Sequence, residues 1–137
     1  MTQVMTNHRN GQRTFFHSHG SNAAFDAHTL SGLQSQHKIV LLAYLLLLQK
    51  LEQPDAEYGV AAGRVFHQLQ QQGYLTALDL VSVDEPQRAR QVVIPVLPYV
   101  DYLIINELEA ATLTGQTLRT ADGKPDLIQI PHAAKQL

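Results

Sequence analysis

The sequence predicts an α/β fold in which helices flank a parallel sheet. Three short apolar runs have the length and composition of buried strands, namely residues 38–48, 75–83 and 102–105. Two helical patterns separate these runs, over residues 54–72 and from 84 to about Ile94. A further helix follows the third run. Strands that alternate with helices indicate βαβ units, and therefore parallel strands with crossover helices.

The composition limits the kinds of function to consider. The 137 residues suit one domain, and 45% of them are hydrophobic, which is typical of a globular chain. A net charge of −2, with the basic residues scattered, predicts no nucleic-acid partner and no membrane patch. The chain contains no cysteine, so disulfides and thiolate metal sites are excluded and a cytoplasmic location is expected.

The N-terminal part has the weakest signals. Residues 1–11 are polar and aperiodic, which is typical either of a frayed start or of an earlier strand. Residues 13–19 alternate like a strand, but neither face is wholly apolar, so an exposed or edge strand is expected. Residues 20–22 predict a turn, and residues 23–32 a connector with one helical turn.

The middle of the chain gives stronger signals. The run at 38–48 predicts a strand over residues 39–44, and its continuous apolar character favours a central strand covered on both faces. The helix at 54–72 has an apolar stripe, with Asp55 and Glu57 near its positive end and Gly73 after its last turn.

The strand at 75–83 is followed by a third helical region. Ser82 or Asp84 is expected to cap the helix that holds Pro86 in its first turn. Pro95 and Pro98 prevent its regular continuation. A final helix is expected to begin at Pro131.

The densest polar cluster lies in residues 101–115, where a strand runs into a helix. Asn106 is a good N-cap, Glu109 lies three positions later as a capping box requires, and Gly115 is placed to end the helix. These residues have two interpretations. They cap the helix, or they place an amide and a carboxylate beside a metal-bound phosphate, with Glu109 holding a water bound to Mg²⁺.

Other candidate residues are less specific. Asp79 near the end of a buried strand either caps the next turn or faces a ligand crevice. His17 and His19 have strand spacing and form a candidate metal pair, although no third ligand is evident nearby. The chain contains no GxGxxG or Walker A sequence and no motif for Ser-His-Asp catalysis.

Several segments together resemble the PfkB (ribokinase-like) carbohydrate kinases. They are RTFFHSHGSNAAF, YLLLL, DAEYGVAAGRVFHQLQQQG, LDLVSVD and above all DYLIINELEAATLTG, which is similar to the family pattern D-x-x-x-x-N-E-x-E-x-x-x-L-T-G. The resemblance implies a partial ribokinase-like (Rossmann-like) fold. Residues 12–36 then correspond to a lid-type strand and connector, and residues 37–137 to the α/β core of one incomplete domain.

The resemblance also implies roles for individual residues. Asn106 and Glu109 occupy the N-x-x-E motif, which lies on the Mg²⁺ and phosphate side of the family's ATP site. Phe15 and Asn22 fall beside the sugar pocket, with Ser21 where the family usually has alanine. Asp79 falls where the family has an Asp or Asn facing the active-site crevice. The implied cofactors are Mg²⁺ and ATP, and the implied substrate is a sugar.

The departures from the family pattern lead to two hypotheses. The Gly-Gly motif expected before Arg13 and the C-terminal G-A-G-D signature have no counterpart in this sequence. The chain therefore resembles the central fragment of an ATP-dependent sugar kinase and is expected to be inactive by itself. The alternative is a non-catalytic binding or interaction module, truncated or split, that self-associates through an exposed sheet edge. An unrelated flavodoxin-like α/β domain is the third possibility.

Overall fold

The N-terminus forms a two-stranded antiparallel ribbon in a computed structural model that describes residues 1–34 and 36–137. Strand β1 (Thr2–Thr6) pairs with β2 (Arg13–His17), and every residue of both strands is exposed. The prediction of an exposed strand is confirmed, and the residues before it form a strand rather than a frayed start. The strand ends at His17 because the backbone at His19 is helical, with φ −57° and ψ −41°.

A connector leads from the ribbon to the body of the molecule. The turn predicted at residues 20–22 is the beginning of a 3₁₀-helix (Gly20–Ala24), and the expected helical turn is α1 (Ala27–Ser31). Asp26 caps α1 by accepting a hydrogen bond from the Thr29 amide at 3.2 Å. The connector proposed for residues 12–36 also includes Ser35, which lies outside the described residues.

The body alternates strands and helices, as the sequence predicts. Its elements are β3 (Ile39–Ala43), a 3₁₀-helix (Leu45–Leu47), β4 (Pro54–Asp55), β5 (Gly59–Val60), α2 (Ala61–Gln71), β6 (Leu75–Asp79), α3 (Pro86–Val93), a 3₁₀-helix (Ile94–Tyr99), β7 (Tyr102–Ile104), α4 (Glu107–Thr114) and α5 (Gln129–Ala134). Within the described residues, no helix is long and apolar enough to cross a membrane.

Three of these strands form a parallel sheet in the order β3-β6-β7. The α/β class with flanking helices is therefore confirmed. The prediction that residues 39–44 form the central strand is wrong, because β6 is central and β3 is an outer strand of the described sheet. The apolar run at 38–48 is instead divided at Tyr44, which adopts a left-handed conformation (φ 59°). Residues before Tyr44 form β3, and the leucines after it lie in a 3₁₀-helix that packs into the core.

The two faces of the sheet differ in their environment. One face packs against the main core through Val40, Leu42, Leu78 and Leu103. The opposite face, here called the open sheet face, consists of Ile39, Leu41, Ala43, Leu75, Ala77, Asp79, Tyr102 and Ile104. Its five large apolar side chains are among the exposed hydrophobic residues of the protein. The expectation that the strand at 102–105 is buried is therefore wrong for one of its faces.

The main core lies between the sheet and the helices. Its most completely buried side chains come from α2, β6, the segment after β3, the end of α3 and the 3₁₀-helix that follows α3, namely Phe66, Leu45, Leu46, Leu51, Leu78, Val93 and Val96. The predicted apolar stripe of α2 is confirmed at Ala62, Val65, Phe66 and Leu69, all of which are buried. The leucine-rich run and α2 therefore pack together on one side of the sheet.

Helix α2 begins later than the sequence predicts. Its first amides, of Ala61 and Ala62, donate to the carbonyls of Gln53 and Leu51, each at 2.9 Å. These residues belong to a preceding loop, so the segment from Pro54 to Val60 is held as a small two-stranded turn instead of a helix. Asp55 and Glu57 consequently lie outside the helix. Gly73 follows its end with φ +87°, as predicted.

Helices α3 and α5 also differ from the sequence prediction at their beginnings. Glu85 is the N-cap residue of α3 and no side chain caps the helix, so the expected cap by Ser82 or Asp84 is wrong. Asp126 accepts from the amides of Ile128 and Gln129, and α5 therefore begins two residues before Pro131. At Pro95 and Pro98 the chain continues as a 3₁₀-helix, whose short length tolerates the missing amide donors.

The turn before α2 leads to a prediction about acid stability. The Asp55 carboxylate accepts from the Arg64 guanidinium at 2.6 and 3.0 Å and from the amides of Glu57 and Tyr58. The bond to Arg64, followed by the amide bonds, lowers the pKa of Asp55 to about 2. A pKa lowered in the folded state stabilises the protein above the unfolded value of 3.8, and this stabilisation is lost as the pH falls toward 2.

We therefore expect Asp55→Asn to be less stable than the wild type at pH 7, and the difference to shrink between about pH 4 and pH 2. Urea unfolding at a series of pH values measures it. Asp84→Asn, at an exposed aspartate, is the matched control. A difference that stays constant from pH 7 to pH 2 would contradict the prediction.

Candidate functional site

The carboxyl ends of the parallel strands bring the candidate residues to one edge of the sheet. Strand β3 ends at Ala43, which is paired with Asp79 at the end of β6, and Asp79 is in turn paired with Ile104 at the end of β7. Asn106 follows two residues later and begins α4. Ligands of open α/β sheets bind in the crevice at this edge.

Asn106 and Glu109 form a complete capping box. The Asn106 Oδ1 atom accepts from the amides of Leu108 and Glu109, each at 2.9 Å. The Glu109 Oε2 atom accepts from the Asn106 amide at 3.0 Å. Gly115 ends α4 in the left-handed region, with φ +75°. The capping interpretation of the sequence is therefore confirmed for both residues.

Glu109 has a second contact that the sequence did not indicate. Its side chain is largely buried, and its Oε1 atom accepts from the Ser82 hydroxyl at 3.0 Å. Ser82 lies just after β6, so this bond ties the beginning of α4 to the neighbouring strand. The sequence predicts Ser82 only as a possible cap of the following helix. Nothing in the spacing of 27 residues indicates that its hydroxyl faces α4.

A small cavity lies beside this pair. Its volume is about 10 Å³, and Leu80, Ser82, Glu109 and Leu113 are among the residues that line it. That volume is near the minimum for one water molecule. Each oxygen of Glu109 accepts one hydrogen bond and keeps a second lone pair, with which it can accept from a water bound to Mg²⁺.

The charge at the beginning of α4 favours a cation over a bare anion. Glu107 and Glu109 both lie in its first turn. Arg119 donates to Glu107 at 2.6 and 3.1 Å, and this contact lowers the pKa of the Glu107 carboxyl. A phosphate at this helix terminus therefore needs a metal ion to offset the repulsion from the acidic side chains of the first turn. The described residues contain no group of three or more Asp, Glu or His side chains that could hold a metal ion.

The structure brings Asn22 to the carboxyl end of β3. An open cleft of about 550 Å³ separates the connector from this strand, and residues of both sides line it, including Ser21, Asn22, Thr29, Leu41 and Ala43. Asp79 shares the open sheet face with Ala43, its partner in the neighbouring strand. Two of the three substrate-side candidates, Asn22 and Asp79, therefore lie near the end of the same pair of strands.

Phe15 is not part of this cleft. It lies on the ribbon, where its ring stacks on His17 with 6.1 Å between ring centroids and the Arg13 guanidinium lies 5.7 Å from its centroid. The candidate metal pair is also separated. The Nδ1 atom of His17 lies 3.0 Å from the Thr2 hydroxyl, whereas that of His19 lies 3.3 Å from the Leu47 carbonyl oxygen.

The cap of α4 leads to a prediction that separates capping from other roles. We expect Asn106→Ala to lower the free energy of unfolding by about 1 kcal/mol, because the amides of Leu108 and Glu109 lose their acceptor. Asn106→Ser keeps an acceptor at the N-cap and is expected to unfold within about 0.5 kcal/mol of the wild type. Urea titrations followed by circular dichroism measure both variants. Equal losses in the two variants would contradict a capping role.

Comparisons with protein-family models, with curated proteins and with solved structures found no match to this chain.

Proposed function

We propose that this chain carries the nucleotide and Mg²⁺ side of a ribokinase-like sugar kinase site and does not transfer phosphate by itself. One observation carries the proposal. At the carboxyl edge of a parallel sheet, the N-x-x-E residues Asn106 and Glu109 begin a helix, and Glu109 lies beside a small cavity. This is the edge at which α/β sheets bind nucleotides. The absence of cysteine suits action in the cytoplasm.

In this proposal Glu109 contacts Mg²⁺ through water, while Asn106 fixes the helix terminus against which the phosphates lie. The bound Mg²⁺ supplies the positive charge that offsets the phosphate oxygens. The Ser82 hydroxyl has its own part, since its hydrogen bond holds one oxygen of Glu109 in place. The carboxylate is thereby oriented before any metal ion binds.

The sugar side is proposed at the cleft between the connector and β3. Its volume of about 550 Å³ lies within the range of small-molecule sites. Asn22 offers an amide to sugar hydroxyl groups, and Asp79 on the adjoining strand offers a carboxylate. Phe15 has no place in this cleft, so its proposed role on the substrate side depends on a change in the position of the ribbon.

We expect no phosphoryl transfer, because the sequence contains no Gly-x-Gly-Asp segment. In the resembling family that segment supplies the base and the anion hole. Loss of a general base typically reduces a rate by about 10²–10⁴-fold, and loss of an anion hole removes further stabilisation of the transition state. A coupled assay of ADP release with a panel of sugars measures transfer, and sugar-dependent turnover would contradict this part of the proposal.

Nucleotide binding is tested by amide NMR with Mg²⁺ and a non-hydrolysable ATP analogue. We expect shifts at the amides of Leu108 and Glu109, and about tenfold weaker binding by Glu109→Gln. That variant keeps the capping box while removing the charge. Asp122→Asn, at an exposed loop aspartate, is the control and is expected to bind like the wild type. A folded chain without shifts at millimolar nucleotide would leave Asn106 and Glu109 with the cap alone.

A second candidate function is a non-catalytic interaction module. The observation that favours it is the exposure of the sheet, since β3 and β7 are its outer strands in the described chain and one face is uncovered. Unpaired strand edges and exposed apolar faces promote association. Sedimentation velocity over a range of concentrations tests it. A monomer at 100-fold different concentrations, with a sharp cooperative melt, would speak against this function.

A further inference from the structure

The turn of the N-terminal ribbon contains the one Asn-Gly pair of the sequence, Asn10 and Gly11. In such a pair, the backbone nitrogen of the glycine can attack the side-chain carbonyl carbon of the asparagine, because no Cβ atom hinders its approach. The product of this attack is a five-membered succinimide ring. Residues 7–12 are all exposed, so water reaches both the amide and the ring. The ribbon turn is therefore a candidate site of spontaneous covalent modification.

Gln12 contacts both polar atoms of the Asn10 side chain. Its backbone amide donates to the Asn10 Oδ1 atom at 3.1 Å, and its side-chain Oε1 atom accepts from Asn10 Nδ2 at 2.9 Å. The first bond places a donor on the oxygen that gains negative charge when the carbonyl carbon is attacked. The second bond places an acceptor beside the nitrogen that would leave as ammonia.

The reacting nitrogen is held by one bond in the closed turn. The Gly11 amide donates to the Asn7 carbonyl at 2.8 Å, so attack on Asn10 requires this bond to open. Such opening costs little, because every residue of β1 and β2 is exposed and an isolated two-stranded ribbon is only marginally stable in water. The reaction therefore needs an open turn and not an unfolded body.

The other asparagines are less suited to this reaction. Asn7, Asn22 and Asn106 are each followed by a residue with a side chain, which hinders the approach of the backbone nitrogen. The Asn106 side chain is also fixed by the two amides that it caps at the beginning of α4. Asn10 therefore differs from them in both its following residue and its environment.

The Asp-Gly pair at Asp122 and Gly123 is also exposed, but its side chain is a carboxyl group. Hydrogen bonds from Lys124 and Thr120 lower the pKa of the Asp122 carboxyl. They favour the ionised form, and an ionised carboxylate resists attack by a nucleophile. The ribbon turn is therefore the better site for succinimide formation.

We propose that Asn10 deamidates in the folded protein and gives a mixture of isoaspartate and aspartate. The Gly11 nitrogen gives its proton to hydroxide and bonds to the Asn10 Cγ atom. The bond between Cγ and Nδ2 breaks, and the amide group takes a proton from water and leaves as ammonia. Water then opens the ring, either at Cγ to give aspartate or at the backbone carbonyl carbon to give isoaspartate. Neither function proposed above is required for this reaction.

The modification changes the charge and the backbone of the ribbon. Residues 1–25 contain Arg9 and Arg13 and no acidic residue, so the new carboxylate is the first negative side chain of this segment. Isoaspartate also adds a methylene carbon to the backbone path. The turn bonds from the Asn7 amide to the Gln12 carbonyl and from the Gly11 amide to the Asn7 carbonyl then no longer fit together. We expect the turn to loosen while the body stays folded.

Peptide mapping of the full chain tests the reaction. The folded protein is incubated in a weakly alkaline buffer made with heavy-oxygen water, and trypsin, which cleaves after Arg9 and Arg13, then releases residues 10–13 as one peptide. We expect the mass of an acid in place of the amide, with heavy oxygen incorporated, in two chromatographic peaks for isoaspartate and aspartate. The rate is expected to rise in proportion to the hydroxide concentration.

Two variants of the turn serve as controls. Asn10→Gln keeps an amide, but it must close a larger ring, which forms far more slowly, so we expect no product in the same incubation. Asn7→Gln keeps the reacting pair and changes only a side chain that accepts from the Arg9 amide. It is expected to react at least as fast as the wild type. Circular dichroism checks that both variants are folded.

Two outcomes would overturn the proposal. A folded chain that keeps Asn10 unmodified, while the chain unfolded in urea reacts, would show that the closed turn protects the Gly11 nitrogen. An equal gain of acid in Asn10→Gln would place the modification at another residue.

Amide hydrogen exchange of the modified chain tests the consequence for the ribbon. We expect faster exchange at Asn7 and Gly11, whose amides lose their acceptors, and unchanged exchange in α4. Unchanged exchange at Asn7 and Gly11 would contradict the loosening of the turn.

Discussion

Replacing Phe66 by alanine is expected to lower the free energy of unfolding by about 3–5 kcal/mol. Phe66 lies at the centre of the buried stripe of α2, and its side chain is 1% exposed. The variant loses the free energy gained when the aromatic ring leaves water, and a cavity remains among the neighbouring side chains. Small domains are stable by only about 5–15 kcal/mol, so this single change removes a large share of the stability.

Phe16→Ala is the matched control, since the same atoms are removed from a residue that is about half exposed on the ribbon. Its unfolding free energy is expected to stay within about 0.5–1 kcal/mol of the wild type. Urea unfolding by circular dichroism, at one low protein concentration, measures both variants without a contribution from association. Similar losses at the two positions would show that α2 does not organise the core.

Gly59→Ala is expected to cost about 2–5 kcal/mol for two separate reasons. Gly59 has φ +75°, a left-handed conformation that costs an L-residue about 1–2 kcal/mol. A Cβ atom at this position would also lie 2.4 Å from the Cβ atom of Pro95. The turn before α2 and the 3₁₀-helix after α3 must then separate, and overpacking of this kind typically costs about 1–3 kcal/mol.

Gly73→Ala separates the two contributions. Gly73 also has a left-handed backbone, with φ +87°, but no atom lies within 4 Å of the position of its Cβ. Its substitution is therefore expected to cost only the conformational part, about 1–2 kcal/mol. Thermal or urea unfolding of both variants gives the difference, which measures the contact with Pro95. Equal losses at Gly59 and Gly73 would mean that the turn moves away from Pro95 at little cost.

The sequence predicts the α4 corner well because its interactions are local. Asn106 and Glu109 satisfy each other's backbone amides within one helical turn, and Gly115 takes up the left-handed conformation that ends the helix. Only the residues between 106 and 115 take part. The same is true of Gly73, which takes up a left-handed conformation just after α2.

The predictions from sequence are wrong where contacts between distant residues decide the structure. The amides that begin α2 are satisfied by carbonyls of Leu51 and Gln53, so the helical pattern of residues 54–60 gives way to a turn fixed by Asp55 and Arg64. The run from Ile39 is apolar throughout, yet it occupies an outer strand, because the order of strands depends on which neighbours pair with it. Ser82 looks like a helix cap, yet its hydroxyl donates to Glu109, 27 residues away.

The sequence by itself determined the α/β class, the apolar face of α2 and the capped strand-to-helix corner at Asn106, since each depends on periodicity or on bonds within a few residues. The tertiary structure alone decided that Glu109 is buried against Ser82, that Asn22 reaches the cleft beside β3, and that one sheet face is uncovered. These features depend on strand order and on contacts between distant segments. Such contacts form only when the whole chain packs, and no local pattern encodes them.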